Sequence, residues 1–255
     1  EGADTLPKDE SNLIHRCLRI AFAEAGQPVP PVKVTCRNEI PLGRGLGSSS
    51  AAVVGGLVAG NEICGGPLSR EKILELAAGI EGHPDNVAAA LLGGCQIVVR
   101  QSDALITAPI PFPDDLSAVV FIPEIPMPTH DARELLSPDV SREDAVYNLG
   151  RVALLTRALA TGDLAHLGTA TGDRLHQPAR QALFPAMKNI LQAAMIAGAL
   201  GVFLSGAGSS VLALARGKEL TIGYEMADAA AKSGVDGVMK ITKPSTRGAH
   251  VVAAG

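Results

Sequence analysis

Cysteine is scarce in this sequence and is never paired. The four residues Cys17, Cys36, Cys64 and Cys95 lie far apart, form no Cys-x-x-Cys pair and have no histidines at metal-ligand spacing. That pattern excludes a zinc ribbon and argues against a disulfide scaffold. The thiols read as reduced, in a cytoplasmic protein. Long hydrophobic runs are lacking too: the longest apolar stretch, near Ala193 to Leu204, is about a dozen residues and contains glycines. A bilayer span needs ~20. No dense Lys/Arg run occurs and the formal net charge is −4, so neither nucleic acid nor an anionic membrane is an expected partner. The first residue is Glu1 rather than Met, and no charged-then-apolar leader follows. The chain therefore reads as a piece of a longer product.

What is present is a sizeable core. With 255 residues, 47% of them hydrophobic, the chain can make one two-lobed unit or two small domains. Apolar residues at Leu13, Ile14, Cys17, Leu18, Ala21 and Phe22 have helical spacing over Asn12–Ala25, closed by Gly26. Val32, Val34 and Cys36 alternate with Lys33, Thr35 and Arg37, which predicts a strand. A helix rich in Ala, Val and Gly is predicted from Ser48 to about Cys64. Ser69 can cap a helix ending near Gly79, and Pro84 can open a short one running through Leu92.

Strands are predicted at Gln96–Arg100 and Leu105–Ile110, after which Pro109, Pro111 and Pro113 mark a boundary. The lobes are accordingly placed at residues 1–110 and 111–255. In the second, Ser117–Ile122 reads as a buried strand, Ser141-x-x-Asp144 as the start of a long helix to Thr161, and Pro185–Ala199 as a helix. Val202–Ser205 and Val211–Ala215 read as strands about a glycine turn. A helix over Glu219–Ser233 and strands near Val238–Ile241 and His250–Val252 complete the pattern. Helices and antiparallel strands mix without a regular strand-helix repeat, which is the α+β class.

The segment most loaded with chemistry is Pro41, Leu42, Gly43, Arg44, Gly45, Leu46, Gly47, Ser48, Ser49, Ser50, Ala51, Ala52, between a strand and a helix. Glycines at 43, 45 and 47 permit positive φ, so successive N–H groups can converge on an anion at the positive end of the following helix. The serines add hydroxyls for phosphate or magnesium. A Walker A loop is excluded for want of Gly-Lys-Ser/Thr, and the dinucleotide fingerprint fails because its third glycine would fall at Ser48. A hydrolase elbow fails at Ala51. A plain tight loop with a helix cap stays open as the alternative.

The same twelve residues resemble the ATP-binding loop of the GHMP kinases. Glu81-Gly-His-Pro-Asp-Asn-Val-Ala88, Thr129-x-x-x-Arg133, Asp173-Arg-Leu-His-Gln-Pro-Ala-Arg180 and Leu204-Ser-Gly-Ala-Gly-Ser-Ser210 follow in the order and rough spacing of the homoserine kinases. The resemblance implies a two-lobed fold, with an N-terminal lobe like ribosomal protein S5 and a ferredoxin-like C-terminal lobe. The family's first strands, with an Asn-Leu-Gly-Pro-Gly-Phe-Asp type segment, have no counterpart here. It further implies ATP, held by Pro41 through Ser50, and Mg2+, held by Ser49 and Glu81. L-Homoserine would meet His83, Asp85, Asn86, Thr129, Arg133, Arg180 and Gly206, with Asn86 and Arg133 closest to the chemistry. The implied reaction is phosphorylation of the homoserine side-chain hydroxyl in threonine biosynthesis, and a homodimer stays open. Another GHMP kinase acting on mevalonate or a sugar, or a silent nucleotide-binding module, is the competing reading. Glu81 could equally be a solvated carboxylate, Asp85 and Asn86 helix caps, and each arginine a surface residue.

Overall fold

The computed structural model describes residues 6–252. The chain makes two compact units that are not contiguous in sequence. The first comprises the chain up to Pro41, Gly47–Ile110 and the chain from Pro244; the second comprises Leu42–Leu46 and Pro111–Lys243.

The first unit is built on α1 (Leu13–Glu24) and α2 (Ser48–Ile63). Asn12 caps α1 by accepting from Ile14 N at 3.0 Å. The buried face of α1 carries Cys17, Leu18, Ala21 and Phe22, the positions that the helical spacing picks out. Gly56 and Gly60 let α2 lie directly on this face, because a Cβ would come within 2.5 Å of Ile14 O and 2.7 Å of Leu18 O respectively. Two helices follow, α3 (Arg70–Glu81), capped by Ser69 and stopped by Gly82 at φ +78°, and α4 (Asp85–Leu92). Val53, Leu57, Leu74, Ala77, Val87 and Leu91 close the core. An antiparallel hairpin, β1 (Cys95–Gln101) and β2 (Ala104–Ile110), completes the unit, with Val98 opposite Thr107.

The second unit contains a four-stranded antiparallel sheet in the order β4-β5-β3-β6, where β3 is Ser117–Pro123, β4 Gly201–Leu204, β5 Val211–Ala215 and β6 Gly237–Thr242. Every residue of β3 is buried, as befits a strand hydrogen-bonded on both edges. Its Val119 and Phe121 share one core cluster with Ile190, Ile222 and Met226, which come from α9 (Met187–Ala197) and α10 (Glu219–Lys232). Its other side, Ala118, Val120 and Ile122, receives Leu46 from the glycine loop. The remaining helices are α5 (Thr129–Glu134), α6 (Arg142–Thr161), α7 (Leu167–Ala170) and α8 (Gln177–Arg180).

Two expectations need correction. The alternating segment from Val32 to Cys36 is not a strand: it belongs to neither of the described sheets, β1-β2 and β4-β5-β3-β6, and alternation of side chains does not by itself supply a ladder. His250–Val252 is likewise not a strand. It belongs to a strap on the first unit, where Gly94 N donates to Ser245 O at 2.7 Å and Ala249 N to Ala90 O at 2.9 Å. That strap and Leu42–Leu46 are the segments that make the two units discontinuous in sequence.

Candidate active site

In the glycine loop, Gly43, Gly45 and Gly47 all have positive φ, +63°, +70° and +76°. At Gly45 the requirement is spatial as well as conformational: a Cβ would lie 2.0 Å from Ser205 O and 2.7 Å from Gly208 N. The loop turns its carbonyls onto the second unit. Leu42 O accepts from Arg44 Nη1 at 2.6 Å, Gly43 O from Met127 N at 2.8 Å, Arg44 O from Ser210 N at 3.2 Å, and Gly45 O from Ser205 Oγ at 2.9 Å. Among the described residues, none of the backbone N–H groups of Gly43 through Ser50 donates to a protein acceptor. With the carbonyls engaged, a run of eight unsatisfied donors leads into α2, whose N-cap is Gly47. That is what an anion needs.

Arg44 departs from expectation in one respect. Its guanidinium is committed to carbonyls of its own unit, Pro123 O from Nε at 2.7 Å, Leu42 O from Nη1, and Glu124 O from Nη2. Its side chain is a brace, while its N–H remains among the unsatisfied donors.

In the first unit, the start of α2 meets the end of α3. Ser49 Oγ donates to one carboxylate oxygen of Glu81, and Ser50 Oγ donates to the other at 2.7 Å. The Glu81 side chain is only 9% exposed, so the solvated-carboxylate alternative does not describe it. His83 Nε2 stands 3.8 Å from the same carboxylate, while its Nδ1 is 2.7 Å from Asp85 Oδ1. Asp85 Oδ1 also accepts from Asn86 N at 2.8 Å within the first turn of α4, whose N-cap is Pro84. Asp85 and Asn86 are exposed at the start of α4.

In the second unit, Arg180 is 8% exposed. Its Nε donates to Ala132 O at 3.3 Å and its Nη1 to Gly206 O at 2.9 Å, leaving three of the five N–H bonds of a guanidinium for a ligand. The two contacts link it to α5, which carries Thr129 and Arg133, and to the Ser205–Ser210 turn, which also holds Gly45. Burial lowers its pKa; Asp173 opposes that shift and the positive charge of Arg133 adds to it. Two guanidinium charges near each other, one of them buried, attract an anion. Thr129 and Arg133 are exposed on α5.

Sequence reasoning passed over the residues that hold Arg180. Asp173 accepts from Asn148 Nδ2 at 2.8 Å and from the amides of Leu175, His176 and Gln177 at 2.9, 2.9 and 2.5 Å. Burial would raise the Asp173 pKa, but these hydrogen bonds outweigh it and leave the group below the ordinary carboxylate value. Gln177 Oε1 accepts from Leu204 N at 2.9 Å. The readable signal was an aspartate just ahead of a Pro-containing first helical turn, a capping pattern.

A family model described as GHMP kinases N terminal domain matches residues 12–94, and one described as GHMP kinases C terminal matches residues 155–234. Homoserine kinase of Moorella thermoacetica is 44% identical over 252 residues, covering 99% of this chain and 85% of that protein. Homoserine kinase of Trichormus variabilis is 41% identical over 248 residues, covering 97% and 82%. Among solved structures, homoserine kinase from Cytophaga hutchinsonii superposes with a TM-score of 0.84 at 28% identity, over 96% of this chain and 80% of that one. Mevalonate kinase of L. major superposes with a TM-score of 0.64 at 19% identity and shares the fold. With both family models matched and such relatives along nearly its whole length, the chain belongs to the GHMP kinases.

Proposed function

We propose that this chain transfers the γ-phosphoryl group of ATP to the side-chain hydroxyl of L-homoserine, giving O-phospho-L-homoserine. The relatives named homoserine kinase support the substrate, and the observation that carries the nucleotide assignment is the run of unpaired amides from Gly43 through Ser50. Those donors face the triphosphate, and the positive end of the α2 dipole adds to them.

Ser49 and Glu81 are the magnesium ligands in this reading. The test of fit is chemical: a hydroxyl and a nearly buried carboxylate already in hydrogen-bond contact offer hard oxygens and leave the other positions to phosphate and water. Among the described residues there is no group of three or more His, Cys, Asp and Glu that could hold a metal ion. A bound Mg2+ supplies neutralisation of charge on the β- and γ-phosphate oxygens.

The homoserine carboxylate takes the free N–H groups of Arg180 together with Arg133, with Thr129 and Gly206 beside them. His83 and Asp85 hold the amino-alcohol end, and Asn86 orients the hydroxyl. Asn86 cannot accept the proton as a base. Asp85, its neighbour, already accepts from Asn86 N and faces His83 Nδ1. Positioning and charge neutralisation suffice in a loose phosphoryl-transfer transition state, where the alcohol proton leaves late.

The test is incubation of the full-length chain with ATP and Mg2+ against L-homoserine, mevalonate and galactose, with phosphorus NMR of the products. Phosphohomoserine is the expected product. Transfer to mevalonate or galactose but not homoserine overturns the substrate, and ATP binding with no transfer to any alcohol overturns the enzyme.

A further inference from the structure

We propose that Arg44 is the positioning residue that presets the glycine loop for nucleotide, and that it works through its fork of donors rather than by touching phosphate. The proposal rests on the reading of Gly43–Ser50 as the triphosphate site. Three nitrogens of one guanidinium reach three carbonyls: Nε to Pro123 O at 2.7 Å, Nη1 to Leu42 O at 2.6 Å and Nη2 to Glu124 O. Pro123 ends β3, the fully buried strand. The guanidinium therefore ties the start of the loop to the end of a buried strand that is paired on both edges.

The consequence for the loop is directional. Once Leu42 O is taken by Arg44 Nη1, and the carbonyls of Gly43, Arg44 and Gly45 by Met127 N, Ser210 N and Ser205 Oγ, the peptide planes have no freedom to flip. Their N–H ends must then face away from the unit, where a phosphate can collect them. Without the brace, a loop with three positive-φ glycines samples many peptide orientations, and binding must select the competent one.

Among the described residues no carboxylate pairs with Arg44, so its charge could instead act directly on phosphate. Lysine separates the two roles. An ammonium keeps the charge but gathers its donors at one point, and it cannot span three carbonyls as a planar fork does.

The experiment measures binding of a non-hydrolysable ATP analogue with Mg2+ by calorimetry, and both KM values, for the wild-type full-length chain and for Arg44→Lys, Arg44→Ala and Ser205→Ala. Arg44→Lys and Arg44→Ala are expected to bind the analogue alike, roughly 10- to 100-fold more weakly than wild type, since charge-assisted hydrogen bonds hold the loop. Ser205→Ala should move the same way by a smaller factor, and KM for homoserine should change by less than about twofold in all three. Arg44→Lys at wild-type affinity, with only Arg44→Ala weakened, overturns the brace in favour of a charge effect. Equal rises in both KM values overturn it in favour of general destabilisation. Should Arg44→Ala fail to fold, Arg44→Lys and Ser205→Ala decide the matter. Wild-type protein that binds no analogue overturns the nucleotide reading itself, an outcome distinct from the others.

Discussion

Removing the Asp173 carboxylate should damage homoserine recognition from a distance. The group holds four donors, Asn148 Nδ2 and three consecutive amides, Leu175 to Gln177, that lead into α8, the turn presenting Arg180. In Asp173→Ala all four lose their acceptor. Hydrogen bonds to a charged group contribute about 1.5–3 kcal/mol each, and solvent reaches this partly exposed site, so a total loss of roughly 2–4 kcal/mol is reasonable. Asp173→Asn keeps one acceptor oxygen and should lose about 1–2 kcal/mol. Urea denaturation reads these values directly, and each kcal/mol lowers Tm by about 2–4 °C in a chain of this size. In steady-state kinetics the KM for homoserine should rise and that for ATP stay nearly constant. The folded-state pKa lies below the ordinary one, so the carboxylate's stabilisation is complete above the ordinary value and disappears as pH falls through the lowered one. Wild type should therefore lose stability more steeply than Asp173→Asn below about pH 4. Asp173→Ala within about 0.5 kcal/mol of wild type would falsify this account.

Three further outcomes follow from the geometry. Arg180→Ala should raise KM for homoserine roughly 100-fold with KM for ATP changed by less than about threefold, as expected when one partner of a desolvated charge pair is removed; parallel rises in both would refute the assignment. Gly45→Ala would set a Cβ 2.0 Å from Ser205 O and should abolish nucleotide binding, whereas Gly47→Ala meets nothing within 4 Å and should lose only the ~1–2 kcal/mol of a left-handed residue; calorimetric titration of both distinguishes crowding from backbone strain. The Cys17 thiol is pushed up to about 11 by burial, with Glu81 adding to the shift and Arg16 opposing it. Its folded-state pKa exceeds the unfolded one, so its contribution to stability is complete below about pH 8.5 and lost by about pH 11. In the native protein it should resist a thiol reagent at pH 8 and react after unfolding.

Much of this was legible because the signals were local. Asn12, Ser69 and Ser141 each cap the helix they were expected to open, and the period of α1 names its four buried residues. Local signals also misled. Alternation from Val32 to Cys36 encodes a face, but a strand exists only beside another strand, and ladder partners are not written in a segment's own pattern. The helices α5, α7 and α8 escaped because four to six residues are too few to display a period. The motif residues could be picked out, yet not what their side chains do: Arg44 sits in the loop proposed to hold phosphate and spends its side-chain donors on carbonyls. Arg180 was expected either to meet the substrate or to lie on the surface; it is buried, with two of its N–H groups committed to Ala132 and Gly206.

That last difference points to how the second unit organises its polar groups. Arg44, Ser205, Ser210 and Arg180 all bond backbone around the Ser205–Ser210 turn or the loop resting on it. A Cβ on Gly206 would come 3.0 Å from Gly45 O, so the two glycine turns are in direct contact. A displacement of the loop is therefore felt at Gly206 O, and through it at the guanidinium that is proposed to hold the substrate carboxylate. Nucleotide and amino acid would be read by opposite ends of one hydrogen-bonded patch. Each end is fixed by backbone carbonyls, whose positions the buried strand β3 and its neighbours dictate, rather than by mobile side chains. Such rigidity is what transfer without a strong base requires, because alignment of hydroxyl and γ-phosphate then supplies most of the rate.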